Sequence, residues 1–258
     1  MSDLVERLRL FFFPDQPLQE HIRRTYFSLR VGVGTIGLLL PIVLVLVGVF
    51  VDRIAWRDVT SLSAFYWLPG PPRSAPLRDW FVGSLFAIAC CLVVYKGYSR
   101  LEDLMLNAAG TALVVVALCP MTWPPTCGAP HAAGTSIHGI AAACFFFLIA
   151  ATVLFCADAT LQFIPDARVE RRWRRIYRTF AFLMIIAPLG AYFLSSSCAW
   201  VLAVETAGVV CFSMYWFFKS YELAYQSRLE ADTDAPRVEW IDGRLLFASD
   251  PRLTEDRP

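Results

Sequence analysis

The stretch "IHGIAAACFFFLIAATVLFCAD", residues 137–158, has no Asp, Glu, Lys or Arg before its last position. A helix needs roughly 20 mostly apolar residues to cross a bilayer, and this run is long enough. Backbone N–H and C=O groups cannot stay unpaired in hydrocarbon, so a lipid-embedded run of this kind forms a helix. The stretch therefore predicts a transmembrane helix.

The composition of the chain indicates further transmembrane helices. Of the 258 residues, 57% are hydrophobic and 17% are charged, whereas soluble domains carry about 25% charged residues. The sequence predicts an all-α membrane protein, a bundle of six transmembrane helices within a domain at 26–222. The predicted spans lie at about 26–51, 79–97, 103–121, 137–157, 176–195 and 199–219.

Two polar segments flank this domain. Residues 1–25 read as a cytoplasmic or interfacial leader, because no small-residue cleavage site follows the long first apolar run. Residues 223–258 are polar and carry both charge signs, which predicts a disordered cytoplasmic tail. Within that tail, "VEWIDGRLLF" at 238–247 contains the Asp-Gly signal of a β-hairpin.

The basic residues predict the orientation. Arginines are dense in the leader and in the link "DARVERRWRRIYR", residues 166–178, whereas the connections after the third and fifth spans contain no Lys or Arg. Loops rich in Lys and Arg stay in the cytoplasm. We therefore expect both termini on the cytoplasmic side of a bacterial inner (plasma) membrane, with membrane lipids as partners and no nucleic acid.

One motif in the first span matches a nucleotide-binding fingerprint but lies in the wrong structural context. "GVGTIG", residues 32–37, matches the dinucleotide-binding fingerprint letter for letter. That fingerprint requires a strand before it and a helix opening after it, and here it lies inside a predicted span. Glycines in such a place let neighbouring helices approach closely. We therefore expect helix packing and no cofactor.

The cysteine and histidine residues give no metal prediction. Cys127, His131 and His138 are the nearest ligand types, and their spacing matches no zinc pattern. Most of the eight cysteines fall inside spans, where Cys acts as a small apolar residue. If the outer compartment is oxidising, a disulfide between Cys127 and Cys198 would tie two outer loops together.

Glu205 is an acid inside the sixth predicted span. An ionised side chain in the bilayer costs about 2.5–3.5 kcal/mol on insertion scales, so it needs a partner or a cavity. Glu205 lies about 9 Å below the start of its span at 1.5 Å per residue. One hypothesis is an outward-facing pocket for a polar head group or a proton; the alternative is one buried pair of Glu205 with Arg78 or His138. The polar residues expected at this depth are Ser63, Tyr66, Arg78, Asp79, His138 and Glu205.

A second polar set is expected at the inner boundary. Its members on the third and sixth spans are Asp103, Asn107, Lys219 and Glu222, with Arg30 and Glu102 nearby. Boundary charges commonly extend toward the interface and pair with one another. The functional alternative is the inner gate of a transporter, although no inverted repeat supports it.

Several segments together suggest a family. "SLSAFYW", "RDWFVGSLFAIA", "VYKGYSRLEDLMLNAAG", "HGIAAACFFF" and "ETAGVVCFSMYWFFKSYEL" resemble a group of uncharacterised bacterial six-helix membrane proteins. More distantly, they are similar to Frag1/DRAM/Sfk-type membrane proteins. The resemblance covers residues 30–222 and implies lipid-related or membrane-organising roles. In the bacterial pattern a histidine is expected near the end of the serine-aromatic segment, where this chain has Trp67.

Three functions follow from these observations. The first is a non-enzymatic module that binds a lipid head group or small ligand in the outer pocket and influences other membrane proteins. The second is a proton-coupled transporter using Glu205 and the inner face at Asp103 and Asn107. The third is an intramembrane lipid-modifying enzyme with Glu205 and His138 as acid and base, for which the sequence identifies no nucleophile.

Overall fold

The computed structural model describes residues 18–68, 75–121, 136–194, 200–232, 238–241 and 244–247. The described helices are α1 Leu18–Leu46, α2 Ala75–Val94, α3 Arg100–Leu118, α4 Ile137–Cys156, α5 Ala167–Leu194 and α6 Trp200–Asp232. A π-helical turn, Val47–Val51, extends α1, and a 3₁₀ turn, Ala157–Phe163, extends α4. Two further 3₁₀ turns, Trp56–Asp58 and Ser63–Tyr66, lie between α1 and α2.

Five helical segments are long and apolar enough to cross a membrane: Glu20–Val51, Pro76–Val94, Arg100–Leu118, Ile137–Phe163 and Trp200–Leu229. They support a helical, multi-pass membrane protein. The predicted span 176–195 lies in α5, which is not one of the five among the described residues. The first half of α5 holds the arginine-rich stretch, and its side chains from residue 187 onward lie outside the described part.

The chain divides into two compact units. The larger, residues 29–220, contains most of the helical core. In it α2 packs on α3, α3 on α4 and α4 on α5, while the 3₁₀ turn Ser63–Tyr66 packs on α2. The smaller unit consists of residues 1–28 and 221–258, of which the first turns of α1, the end of α6 and a two-stranded sheet are described.

Two described parts of the segment 223–258, which was predicted as a disordered tail, form regular structure. Helix α6 continues to Asp232, where the prediction ended the sixth span at 219. Strands β1 Val238–Ile241 and β2 Arg244–Phe247 form an antiparallel pair, with Val238 opposite Phe247 and Ile241 opposite Arg244. The Asp-Gly pair at 242–243 lies between the two strands but outside the described residues, so the turn predicted there stays a prediction.

Serine side chains fix the start of two core helices. Ser99 accepts a hydrogen bond from the backbone N–H of Glu102 at 3.1 Å and begins α3. Ser136 accepts one from the N–H of Gly139 at 3.1 Å and begins α4. The first N–H groups of a helix have no partner within it, so these serines supply one.

Glycines in α1 allow close contact with α6. A Cβ at Gly34 would lie 3.1 Å from the carbonyl oxygen of Ser213, and one at Gly37 would lie 2.6 Å from the Ser213 hydroxyl. By contrast, a Cβ at Gly32 would meet nothing within 4 Å. The reading of "GVGTIG" as a helix-packing motif is therefore confirmed for Gly34 and Gly37.

Candidate functional site

The carboxylate of Glu205 lies against the segment that connects α1 to α2. Its Oε2 accepts the backbone N–H of Leu62 at 2.6 Å and that of Ser63 at 3.4 Å. Its Oε1 lies 3.1 Å from the hydroxyl of Ser63. One turn earlier in α6, the N–H of Leu202 donates to the carbonyl of Thr60 at 3.0 Å. Glu205 thus receives the N–H groups that lead into a 3₁₀ turn, where a negative charge is favoured.

His138 extends this hydrogen-bonded chain into α4. Its Nε2 lies 2.9 Å from the Ser63 hydroxyl, and its Nδ1 lies 2.9 Å from the carbonyl oxygen of Cys119, just after α3. Ser63 and His138 are both buried. We call Ser63, His138 and Glu205 the Glu205 site. It links α3, α4 and α6 to the segment between α1 and α2.

A cavity of about 60 Å³ adjoins the Glu205 site. Ser63 and Glu205 are the polar residues among those described along its wall. A water molecule needs about 10–15 Å³, so the cavity can hold several waters or a short apolar group. Five helices supply the apolar wall, with examples at Leu40, Phe81, Leu113, Phe145 and Phe212.

The structure brings together half of the residues expected at this depth. Ser63, His138 and Glu205 meet, but the predicted direct pairing of Glu205 with Arg78 or His138 is corrected, because Ser63 stands between Glu205 and His138. Arg78 contacts its neighbour Asp79 at 3.4 Å, and the Asp79 side chain is 70% exposed. Tyr66 packs edge-on against Trp67. Side chains expected at the same depth in the membrane can therefore point in different directions around their helix axes.

A second polar group is buried elsewhere in the larger unit. The Arg30 guanidinium donates to the Tyr95 hydroxyl from Nε at 3.1 Å and from Nη2 at 2.6 Å, and to the Lys219 carbonyl from Nη1 at 2.9 Å. Lys219 is 1% exposed. Its ammonium donates to the Ala157 carbonyl at 3.1 Å and to the Thr160 hydroxyl at 2.5 Å. We call Arg30, Tyr95, Thr160 and Lys219 the Arg30–Lys219 cluster.

The acids predicted beside this cluster accept hydrogen bonds from groups close to them along the chain. Glu102 accepts the N–H of Tyr98 at 2.8 Å, and Asp103 accepts that of Gly97 at 2.5 Å. Both therefore stabilise the turn that enters α3. Asn107 lies one turn further along, and among the described residues its buried amide oxygen has no hydrogen-bond donor. Glu222, in the smaller unit, accepts from Gln226 at 3.0 Å.

Two further questions concern the predicted disulfide and metal binding. Cys127 and Cys198 lie outside the described residues, so their disulfide stays a prediction. No group of three or more His, Cys, Asp or Glu side chains that could hold a metal is found in the described part of the chain.

Sequence reasoning missed the backbone partners of the Glu205 site. Neither the N–H of Leu62 nor the carbonyl of Cys119 has a side-chain signature, so no residue pattern could have identified them. Neither Tyr95 nor Thr160 was among the candidate site residues. For Tyr95, a buried arginine at the same membrane depth was an available signal.

Comparison with known proteins does not assign the chain to a family. No protein-family model, no curated protein and no solved structure matches this chain. The resemblance to Frag1/DRAM/Sfk-type proteins therefore stays a prediction.

Proposed function

We propose that the protein binds a small amphiphile from the membrane. The apolar part of the ligand occupies the cavity, and its polar group contacts Glu205 and Ser63. The observation that carries this proposal is an apolar cavity with a single polar end formed by a carboxylate and a hydroxyl. Binding sites for small molecules are typically apolar with a few convergent polar groups.

The hydrogen bonding of Glu205 leaves room for such a ligand. A carboxylate offers roughly four acceptor positions. Contacts from the N–H groups of Leu62 and Ser63 and from the Ser63 hydroxyl occupy three of them. One position remains for a donor group in the cavity. Glu205 can therefore hold the connecting segment in place and bind a ligand at the same time.

The cavity itself provides the test. Ala142 lies on the cavity wall, and the next residue of α4, Ala143, is exposed. Ala142→Leu should fill part of the cavity, whereas Ala143→Leu should not. The amphiphiles that co-purify with gently extracted full-length protein are measured by mass spectrometry. Ala142→Leu should lose a specific ligand that the wild type and Ala143→Leu retain; equal ligand content in all three proteins would contradict the proposal.

We propose six spans for the membrane domain, with α5 as the fifth, and both termini in the cytoplasm. The five apolar helices and the arginine-rich first half of α5 support this arrangement. An even number of spans returns the chain to its starting side. Reporter fusions after Asp166 and after Asp232 should both report a cytoplasmic location. A fusion after Asp232 that reports the outer side would contradict six spans.

One observation favours a second function, hydrolysis of a lipid ester. Ser63 and His138 are 2.9 Å apart, and the Cys119 carbonyl orients the other ring nitrogen of His138. A nucleophile, a base and an orienting group are arranged in this way in serine hydrolases. A fluorophosphonate probe should then label the wild type but not Ser63→Ala. An unlabelled wild type would remove this function.

A further inference from the structure

The contacts of the Glu205 site determine how many hydrogens its side chains must carry. The Cys119 carbonyl only accepts, so Nδ1 of His138 carries a hydrogen. Two further contacts, from Ser63 Oγ to His138 Nε2 at 2.9 Å and to Glu205 Oε1 at 3.1 Å, each need one hydrogen. The Ser63 hydroxyl supplies one of these two. The second must come from His138 or from Glu205.

The net charge of the site is the same whether His138 or Glu205 supplies the second hydrogen. If His138 Nε2 donates to Ser63, the imidazole is a cation and Glu205 is ionised. If Glu205 is protonated and donates to Ser63, the Ser63 hydroxyl turns toward a neutral His138. In either arrangement the site carries zero net charge, which a low-dielectric interior favours. Two proton shifts, from His138 to Ser63 and from Ser63 to Glu205, convert the first arrangement into the second.

Glu205 forms no ion pair with any of the described residues, and its described partners are backbone N–H groups and Ser63. Arg30 precedes Leu40, the cavity residue of α1, by ten residues, and Lys219 follows Glu205 by fourteen; these separations are about 15 Å and 21 Å along a helix. Other titratable or charged groups on the surrounding elements include Asp52, Arg53, Asp58 and Tyr66 between α1 and α2, Arg78, Asp79, Cys90 and Cys91 on α2, Arg100, Glu102 and Asp103 at the start of α3, Cys119 after it, His138, Cys144 and Cys156 on α4, and Cys211 on α6.

We infer that the Glu205 site holds one shared proton and that the cavity takes the cation of an amphiphilic amine in exchange for it. This inference rests on the proposed binding function and names its ligand class. When the proton leaves for water, the site keeps one negative charge on Glu205 and a neutral His138. A monovalent cation in the cavity restores zero net charge, so one proton leaves as one cation enters.

The cavity wall suits such a cation. Phe81, Phe145, Phe146 and Phe212 line it together with Glu205. The faces of aromatic rings attract ammonium groups, and the attraction is stronger where water is excluded. An anionic or neutral amphiphile would leave the deprotonated site uncompensated. The exchange therefore selects cations over neutral molecules of the same shape.

Proton release provides the test. Full-length protein is titrated with hexyltrimethylammonium, which has no N–H, so any released proton comes from the protein. The neutral control is hexanol. The wild type should release up to one proton per bound cation and none with hexanol. The affinity for the cation should rise up to about tenfold per pH unit while the site is protonated, as the exchange of one proton for one ligand requires.

Glu205→Gln is the matched variant, because a glutamine amide keeps the hydrogen-bond pattern of a protonated carboxyl group. It should remain folded, bind the cation at least ten times more weakly and release no proton. Cation binding by the wild type without proton release would overturn the exchange and leave amphiphile binding standing. If neither the cation nor hexanol binds, both proposals fail.

The protonation of His138 gives an independent check. The chain has three histidines, so ¹⁵N-histidine labelling yields few side-chain signals. His21→Gln serves for assignment, because His21 is exposed. His138 should carry a hydrogen on Nδ1 in the wild type and be the neutral Nδ1–H tautomer in Glu205→Gln at neutral pH. A neutral Nε2–H tautomer in the wild type would overturn the proton count.

Discussion

The Glu205 site and the Arg30–Lys219 cluster are both polar groups inside a helical membrane domain, but their hydrogen bonds differ. In the Arg30–Lys219 cluster, two cationic side chains bind carbonyl and hydroxyl oxygens on α6, after α2 and after α4. The Glu205 site instead lines a cavity with an acceptor position left over. The comparison suggests that buried charge holds helices together in the Arg30–Lys219 cluster and binds a ligand in the Glu205 site.

The largest expected effect tests the structural half of this comparison. Lys219→Met keeps the apolar stem but leaves the Ala157 carbonyl and the Thr160 hydroxyl without this donor. Loss of a buried charged donor to two oxygens should reduce the free energy of unfolding by about 3 kcal/mol. Lys96→Met, at an exposed position, is the control. Unfolding in mixed micelles measures both variants, and equal stabilities would contradict a structural role for Lys219.

The next effect tests the packing behind the cavity wall. Gly37→Ala would bring a Cβ to 2.6 Å from the Ser213 hydroxyl and 3.3 Å from the Phe212 ring, which also lines the cavity. Overpacking of this kind costs about 1–3 kcal/mol. Gly32→Ala, which meets nothing within 4 Å, should change the unfolding free energy little. Similar losses in both variants would show that helix propensity, not contact with α6, decides the result.

A smaller effect separates the two roles of Glu205. Glu205→Leu leaves the N–H of Leu62 and the Ser63 hydroxyl without this acceptor, which should cost about 1–3 kcal/mol of unfolding free energy. Glu205→Gln keeps an acceptor and should stay within about 0.5 kcal/mol of the wild type. A strongly destabilised Glu205→Gln would mean that the charge itself holds the connecting segment.

The smallest effect is expected at Asp79. Its carboxylate is exposed and pairs only with its neighbour Arg78 among the described ion pairs. Exposed pairs contribute roughly 0–1 kcal/mol. Asp79→Asn should therefore leave both the unfolding free energy and the ligand content unchanged. Ligand loss in this variant would extend the site to the end of α2.

The apolar runs predicted the helices better than their ends. The predicted span 137–157 matches α4, Ile137–Cys156, because Ser136 stands directly before the apolar run. Helix α6 continues well beyond its apolar run, to Asp232. Hydropathy marks the part of a helix that fits lipid, whereas capping and side-chain pairs in water decide where it begins and ends.

The sequence identified the centre of the candidate site but not its connections. Glu205 stood out because a lone acid in an apolar run needs a partner. Ser63 and His138, expected at the same depth as Glu205, do meet it, but Arg78 and Asp79, expected there too, pair with each other instead. Depth follows from position along a span, whereas direction depends on packing. The partners supplied by Leu62 and Cys119 are backbone groups, which no residue pattern distinguishes.

The amount of co-purifying amphiphile in Glu205→Gln, compared with Asp79→Asn, tests the central claim most directly. Both substitutions change one carboxylate to an amide, one beside the cavity and one on the surface. Unfolding temperatures measured on the same samples confirm that both variants are folded. We predict that a specific ligand is retained in Asp79→Asn and lost in Glu205→Gln. Equal ligand content in two folded variants would contradict a binding role for the Glu205 site.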